Sequence, residues 1–222
     1  MKRKSLFLVI AISILCCLTM ALVDGVLRPA YAVKSAIKIA VFLLPALALS
    51  IRYRELSCFS LFRFPKKGFF TALALGIGVY FVILIGYFAV KPFFEFSSIA
   101  EKLTQNAGVT ADNFLFVSLY ISFVNSLLEE FFFRGFVFTN LKHLRSGRFA
   151  YLFSSILFAV YHVAMMTGWF SPVLFLLVMA GLVARGMIFN YLNERMGTVY
   201  ISWLVHMFAN FAINTIGFLL LN

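Results

Sequence analysis

The sequence predicts an all-α fold: a polytopic integral membrane bundle of about seven transmembrane helices. Three observations predict it. Of 222 residues, 63% are hydrophobic and only 12% are charged, whereas soluble domains average about 45–50% apolar and about 25% charged. Apolar runs of spanning length, about 20 residues each, recur from end to end. The period-2 alternation of an outer-membrane barrel is missing. Such a chain is too apolar for the disordered class. Its spans leave no room for a soluble domain, so residues 1–222 read as a single transmembrane domain.

The elements follow in order. Met1-Lys2-Arg3-Lys4 precedes an apolar stretch from Leu6 to Val23. This resembles a signal peptide, and Ala30-Tyr31-Ala32 resembles a cleavage site. The run exceeds the roughly 7–15 residues of a signal h-region, so it is read as a retained first span rather than a segment of 1–32 that is removed. Further spans are expected at 35–51, 68–90, 113–141, 149–167, 171–191 and 198–221. Residues 1–90 therefore form a three-helix N-terminal part. Glu55 to Lys67 mixes Leu, Phe and basic residues and is expected on the membrane surface. Residues 91–112, with Glu95, Glu101 and Asp112, form the one sizeable loop. No internal repeat of the transporter type is visible.

Nineteen Lys and Arg stand against eight Asp and Glu. No basic stripe interleaved with aromatics accompanies the excess, so nucleic acid is not an expected partner. Loop placement explains the charge instead. With the N-terminus inside, the cytoplasmic set is Lys2, Arg3, Lys4, Arg52, Arg54, Arg63, Lys66, Lys67, Lys142, Arg145, Arg148 and Arg195. The outer set is Arg28, Lys34, Lys38, Lys91 and Lys102. The bias favours N-in and C-out. Cys16, Cys17 and Cys58 are odd in number and lack metal-like spacing, so neither a disulfide framework nor a zinc motif is expected.

Arg134 and Arg185 fall inside spans, and a charge there costs about 2.5–3.5 kcal/mol even on the lenient insertion scale. Arg185 is expected to snorkel or to pair with a polar neighbour. Arg134 belongs to Glu129-Glu130-Phe131-Phe132-Phe133-Arg134. Glu130 and Arg134 are four apart and share a helical face, where they can pair. Glu129 is rotated by about 100° and points elsewhere. His162 ends Phe158-Ala159-Val160-Tyr161-His162 in the fifth span, and His206 and Asn210 share a face of the seventh. Ser202 and Asn214 extend that face. Ser118, Ser122, Asn125 and Ser126 form a similar stripe leading to Glu129. Such stripes belong in a bundle interior. Counted along the helices at 1.5 Å per residue, Glu129, His162, His206 and Asn210 lie about 18, 20, 11 and 17 Å from the cytoplasmic edge. All four sit near mid-membrane.

A carboxylate and a histidine around one water make a hydrolytic centre. Glu129 would take a proton from water, His162 would orient that water, and His206 and Asn210 would donate to the oxyanion. No serine or cysteine nucleophile stands beside a histidine, so acyl-enzyme chemistry is disfavoured. A second possibility uses Glu129, His162 and His206 as ligands of Zn²⁺ with an open position. The HExxH spacing is absent, and the sequence leaves the choice between no cofactor and zinc open.

The motifs Glu129-Glu130-x-x-x-Arg134, Phe158-x-x-x-His162 and His206-x-x-x-Asn210 together resemble the CPBP intramembrane peptidase family over about residues 110–215. That family includes the type II CAAX prenyl endopeptidases and bacterial proteins tied to bacteriocin processing or self-immunity. The resemblance implies an intramembrane endopeptidase in a bacterial cytoplasmic membrane, acting on a hydrophobic, leader-type or lipidated peptide. It implies that Glu129 and His162 activate water, that His206 and Asn210 form the oxyanion site, and that Glu130 and Arg134 support the geometry. It carries both a metalloprotease and a glutamate-type reading. It also includes silent scaffolds and immunity proteins, which stand as the alternative function. A proton-coupled transporter is a third reading, since intramembrane Glu, His and Arg also build proton relays. The missing repeat weighs against it.

Overall fold

The computed structural model describes residues 2–65, 67–96 and 109–221. Among them, seven helices are long and apolar enough to cross a membrane: α1 Lys2–Leu27, α2 Tyr31–Arg52, α3 Phe69–Phe93, α4 Ala111–Leu144, α5 Gly147–Met166, α6 Pro172–Met196 and α7 Val199–Leu221. The seven expected spans are all present, most of them a few residues longer than the apolar pattern indicates. Lys66, Glu101, Lys102 and the loop segment 97–108 lie outside the described residues.

Local chemistry sets the helix ends. Thr110 and Asn113 form a capping box before α4, with the Thr110 N–H donating to Asn113 Oδ1 at 2.9 Å. Ser146 caps α5 by accepting from the Phe149 N–H. Pro172 occupies the first turn of α6, and Gly197 ends that helix in the left-handed region at φ +66°. Pro45 lies inside α2, where it removes the N–H that would pair with the Val41 carbonyl four residues earlier. The Cys16 thiol of α1 donates to that same carbonyl at 3.2 Å. The proline gap is thus filled from a neighbouring helix.

The largest core cluster joins α1, α2, α4 and α5 around Phe42, Phe132, Phe133, Phe136 and Phe158. Phe42 stacks on Phe132 at 4.2 Å, and Phe133 meets Phe158 edge-on at 5.2 Å. The Phe-rich stretch of α4 is therefore core packing. A second cluster joins α3, α6 and α7 through Ala72, Phe189, Leu192, Ile201 and Val205. Outward faces carry exposed Leu, Ile and Phe, as expected of surfaces solvated by lipid.

The stretch after α2, expected on the membrane surface, keeps Phe59 and Phe64 exposed and is also fastened to the bundle. Asn140 of α4 pins Ser57 from both sides, accepting from its N–H at 2.9 Å and donating to its carbonyl at 2.8 Å. Leu56 and Cys58 are consequently buried. The Val199 N–H donates to the Leu61 carbonyl, fastening the same stretch to the start of α7. These bonds satisfy backbone groups that would be costly to leave unpaired in a buried setting. Ser5 near the chain start donates to Glu55 at 2.7 Å, and that bond holds the Glu55 carboxyl below the usual carboxylate range. Lys142 near the end of α4 pairs with Glu194 near the end of α6 at 2.6 Å.

Candidate active site

The site is built on a helix that is not uniformly α. Within α4, Ile121–Asn125 and Glu130–Phe138 are π-helical. Widened turns of this kind are frequent at functional sites. Here their carbonyls receive side-chain donors from the helices alongside. Asn210 Nδ2 donates to the Ile121 carbonyl at 3.1 Å, Trp203 Nε1 to that of Phe123 at 3.1 Å, and Ser154 Oγ to that of Phe133 at 2.9 Å. Asn214 donates to the Ser118 carbonyl and to Ser122 Oγ. The polar stripes of α4 and α7 therefore face one another, as interior stripes should.

Glu129 closes the short α segment between the two π stretches. It is 2% exposed. Its Oε1 receives two donors: Lys38 Nζ of α2 at 2.7 Å and Asn125 Nδ2 at 3.0 Å. Lys38 also donates to Asn125 Oδ1, so three side chains close a triangle. The Lys38 ammonium lies 4.9 Å from the Tyr161 ring centroid and 5.7 Å from that of Phe42. Glu129 Oε2 faces His206 Nε2 at 3.6 Å, which is too long for a direct hydrogen bond.

Glu130 points to a different set of partners. Its Oε2 accepts from Ser202 Oγ at 2.5 Å, and its Oε1 from His206 Nδ1 at 3.0 Å. Ser202 is itself held by Asn193 Nδ2 at 2.8 Å. The expected pair with Arg134 is present at 3.5 Å. That separation is an ion contact, and none of the Arg134 nitrogens makes a well-formed hydrogen bond. The guanidinium instead lies between two aromatic faces, 4.4 Å from the Phe158 centroid and 5.1 Å from Phe189. Cation–π attraction is strengthened when both partners are desolvated.

His162 sits where α5 breaks between Tyr161 and Val163. Its Nδ1 is 2.7 Å from the Phe158 carbonyl. A carbonyl only accepts, so Nδ1 carries the proton and Nε2 is the bare nitrogen of the neutral ring. Its ring meets that of Phe158 at 4.7 Å, and Phe158 in turn faces His206 at 6.4 Å. Asn210 lies one turn beyond His206 and is tied to Ile121 rather than to the carboxylates. The structure thus joins Glu129, Glu130, Arg134 and His206 through direct contacts. It sets His162 against Phe158 and Tyr161, whose rings also contact Arg134 and Lys38, and anchors Asn210 on α7 to the Ile121 carbonyl of α4.

Two charged groups take positions that differ from the expected ones. Lys38 is not an outer-loop charge. The helix that carries it begins at Tyr31, four residues before the apolar pattern does, which puts Lys38 two turns inside. An isolated lysine within Ile37-Lys38-Ile39 was the signal for it. Arg185 does not snorkel. Its guanidinium turns onto the Phe158 and Phe189 rings at 5.4 and 5.3 Å, and its Nε and Nη2 are buried without a hydrogen-bond partner. It shares those rings with Arg134.

A zinc centre fits these residues poorly. Among the described residues, no three of His, Cys, Asp and Glu converge as a metal cage. One oxygen of Glu129 is already engaged by an ammonium group.

The fold and the buried cluster define a class: a multi-pass helical membrane protein that gathers two glutamates, two histidines, a lysine and an arginine at the centre of its bundle. Residues 111–212 match the family model described as Type II CAAX prenyl endopeptidase Rce1-like. The match covers just under half of the chain, agrees with the resemblance carried by the three motifs, and supports a membrane peptide hydrolase. Comparisons with curated proteins and with solved structures found no match.

Proposed function

We propose that the protein is an intramembrane endopeptidase that hydrolyses a peptide bond with a water activated by Glu129 and His162. The observation that carries this reading is the state of the two groups. Glu129 has one oxygen tied down by Lys38 and Asn125 and the other directed at His206. His162 has its Nδ1 proton committed to the Phe158 carbonyl, which leaves Nε2 as an acceptor. A water held by both would give one proton to Glu129 Oε2 while its oxygen attacks the scissile carbonyl carbon. When the tetrahedral intermediate collapses, the C–N bond breaks and the departing amine takes the proton back from Glu129. The products are a carboxylic acid and an amine.

The oxyanion needs donors that do not have to reorganise. Asn210 spends one N–H on Ile121 and keeps the other. His206 directs its Nδ1–H at Glu130, so its Nε2 donates to the oxyanion only as the imidazolium. Glu130 and Arg134 serve this arrangement by holding His206. The substrate class that fits is a hydrophobic or lipidated, membrane-associated peptide, since the site lies among seven apolar helices. The basic residues at the start of α1 and at the ends of α2 and α4 support N-in placement in a cytoplasmic membrane. Bacterial origin is part of this reading.

The test is mass-spectrometric. Wild type, Glu129→Gln and His162→Ala are reconstituted in lipid with a pool of signal-derived, hydrophobic and prenylated peptides. Fragments made by wild type and by neither variant are expected, with all three proteins inserted alike. Activity within a few-fold of wild type in either variant would overturn the mechanism. An intact pool with wild type would favour the scaffold or immunity reading.

A further inference from the structure

Lys38 lies outside the three motifs and outside residues 111–212, yet it touches the centre of the site. It is 7% exposed. A lysine within the membrane costs about 2.5–3.5 kcal/mol. A role limited to pinning α2 against α4 accounts for it poorly, because a buried ion pair adds little net stability over an apolar contact. Its position is better explained by what it does to Glu129. Lys38 and Asn125 both donate to Oε1, and Lys38 also bonds Asn125. The carboxylate is held at one oxygen by two donors that are fixed to each other. The Tyr161 and Phe42 rings flank the ammonium and hold it in place.

We propose that Lys38 is a positioning residue for the hydrolytic reaction. It clamps Oε1 of Glu129, supplies the charge that balances this carboxylate beside Glu130, and reserves Oε2 for the proton taken from water. The inference rests on the function proposed above. It assigns part of the reaction to the second helix. Fixing the rotation of a general base is a matter of orientation, and a displacement of about 1 Å in such a group is worth about a hundredfold in rate.

The experiment compares Lys38→Met, Lys38→Arg and Asn125→Ala with wild type on the peptide that wild type cleaves in the pool above. Lys38→Met is expected to lower kcat about a hundredfold with KM within about twofold, the pattern of a group that acts after binding. Lys38→Arg keeps the charge and is expected to recover most of the loss. An unchanged kcat with a lowered melting temperature would show a structural pin and overturn the proposal. If Lys38→Met does not fold, Asn125→Ala decides. It loosens the clamp while leaving the charge, and is expected to lower kcat about tenfold at constant KM; an unchanged kcat there overturns the proposal. Cleavage by wild type together with an unaffected variant removes the role of Lys38 and leaves the protease reading intact. No cleavage by wild type removes both.

Discussion

His206 stands between two adjacent carboxylates, with Nδ1 3.0 Å from Glu130 Oε1 and Nε2 3.6 Å from Glu129 Oε2. Neighbours in sequence, the two glutamates would otherwise diverge by about 100° around the helix. One imidazole on α7 connects them. Glu130 is the supporting member of the pair, since its oxygens are filled by Ser202, His206 and Arg134.

That division of labour predicts strong coupling between Glu130 and Arg134. Arg134→Ala leaves the fully buried Glu130 without its cation, and loss of one partner of a buried pair costs about 3–5 kcal/mol. Glu130→Gln alone leaves the guanidinium between Phe158 and Phe189 without its carboxylate. Each single variant should lower the melting temperature in detergent. The double variant Glu130→Gln/Arg134→Met should be markedly more stable than the sum of the singles predicts. Additive losses would show that the 3.5 Å contact is not an energetic pair.

Metal removal gives a second prediction. The site already holds a resident cation on Glu129, and among the described residues no metal cage forms. Peptide hydrolysis should therefore proceed at an unchanged rate after dialysis against EDTA and 1,10-phenanthroline. A loss of rate that added zinc restores would reverse the assignment and make Glu129, His162 and His206 ligands.

The sequence made legible what depends on periodicity and on the expense of charge in a membrane. Seven spans were visible because each must satisfy its own backbone. Glu129, Glu130, Arg134, His162, His206 and Asn210 stood out as polar residues in apolar surroundings. Lys38 was equally anomalous, but it stands only three residues past the expected start of the second span at 35 and so reads with the outer charges; the helix begins at Tyr31 and carries it deeper. The π-helical turns of α4 were not legible, because Phe131-Phe132-Phe133 offers the same apolar surface at either pitch. The burial of Leu56 and Cys58 was hidden for another reason. It depends on Asn140, 83 positions from the Ser57 that it binds, and a contact at that separation leaves no local pattern.

The pairing of Cys16 with the gap left by Pro45 yields the last prediction. Pro45 deprives the Val41 carbonyl of its helical partner, and the Cys16 thiol donates to that oxygen at 3.2 Å. An acceptor left unpaired in an apolar interior is costly, so the thiol does more here than fill space. Cys16→Ala should cost about 0.5–1.5 kcal/mol, the net worth of a modest hydrogen bond. The same substitution in a Pro45→Ala background should cost less. Replacing the proline restores a backbone N–H, which can close the ordinary bond to Val41 and leave the thiol redundant. Both backgrounds lose the same sulfur volume, so the packing loss cancels in the cycle. The two melting-temperature differences, measured in one detergent at one protein concentration, decide it. Equal losses would reduce Cys16 to a packing residue and leave the Val41 carbonyl without a donor that matters.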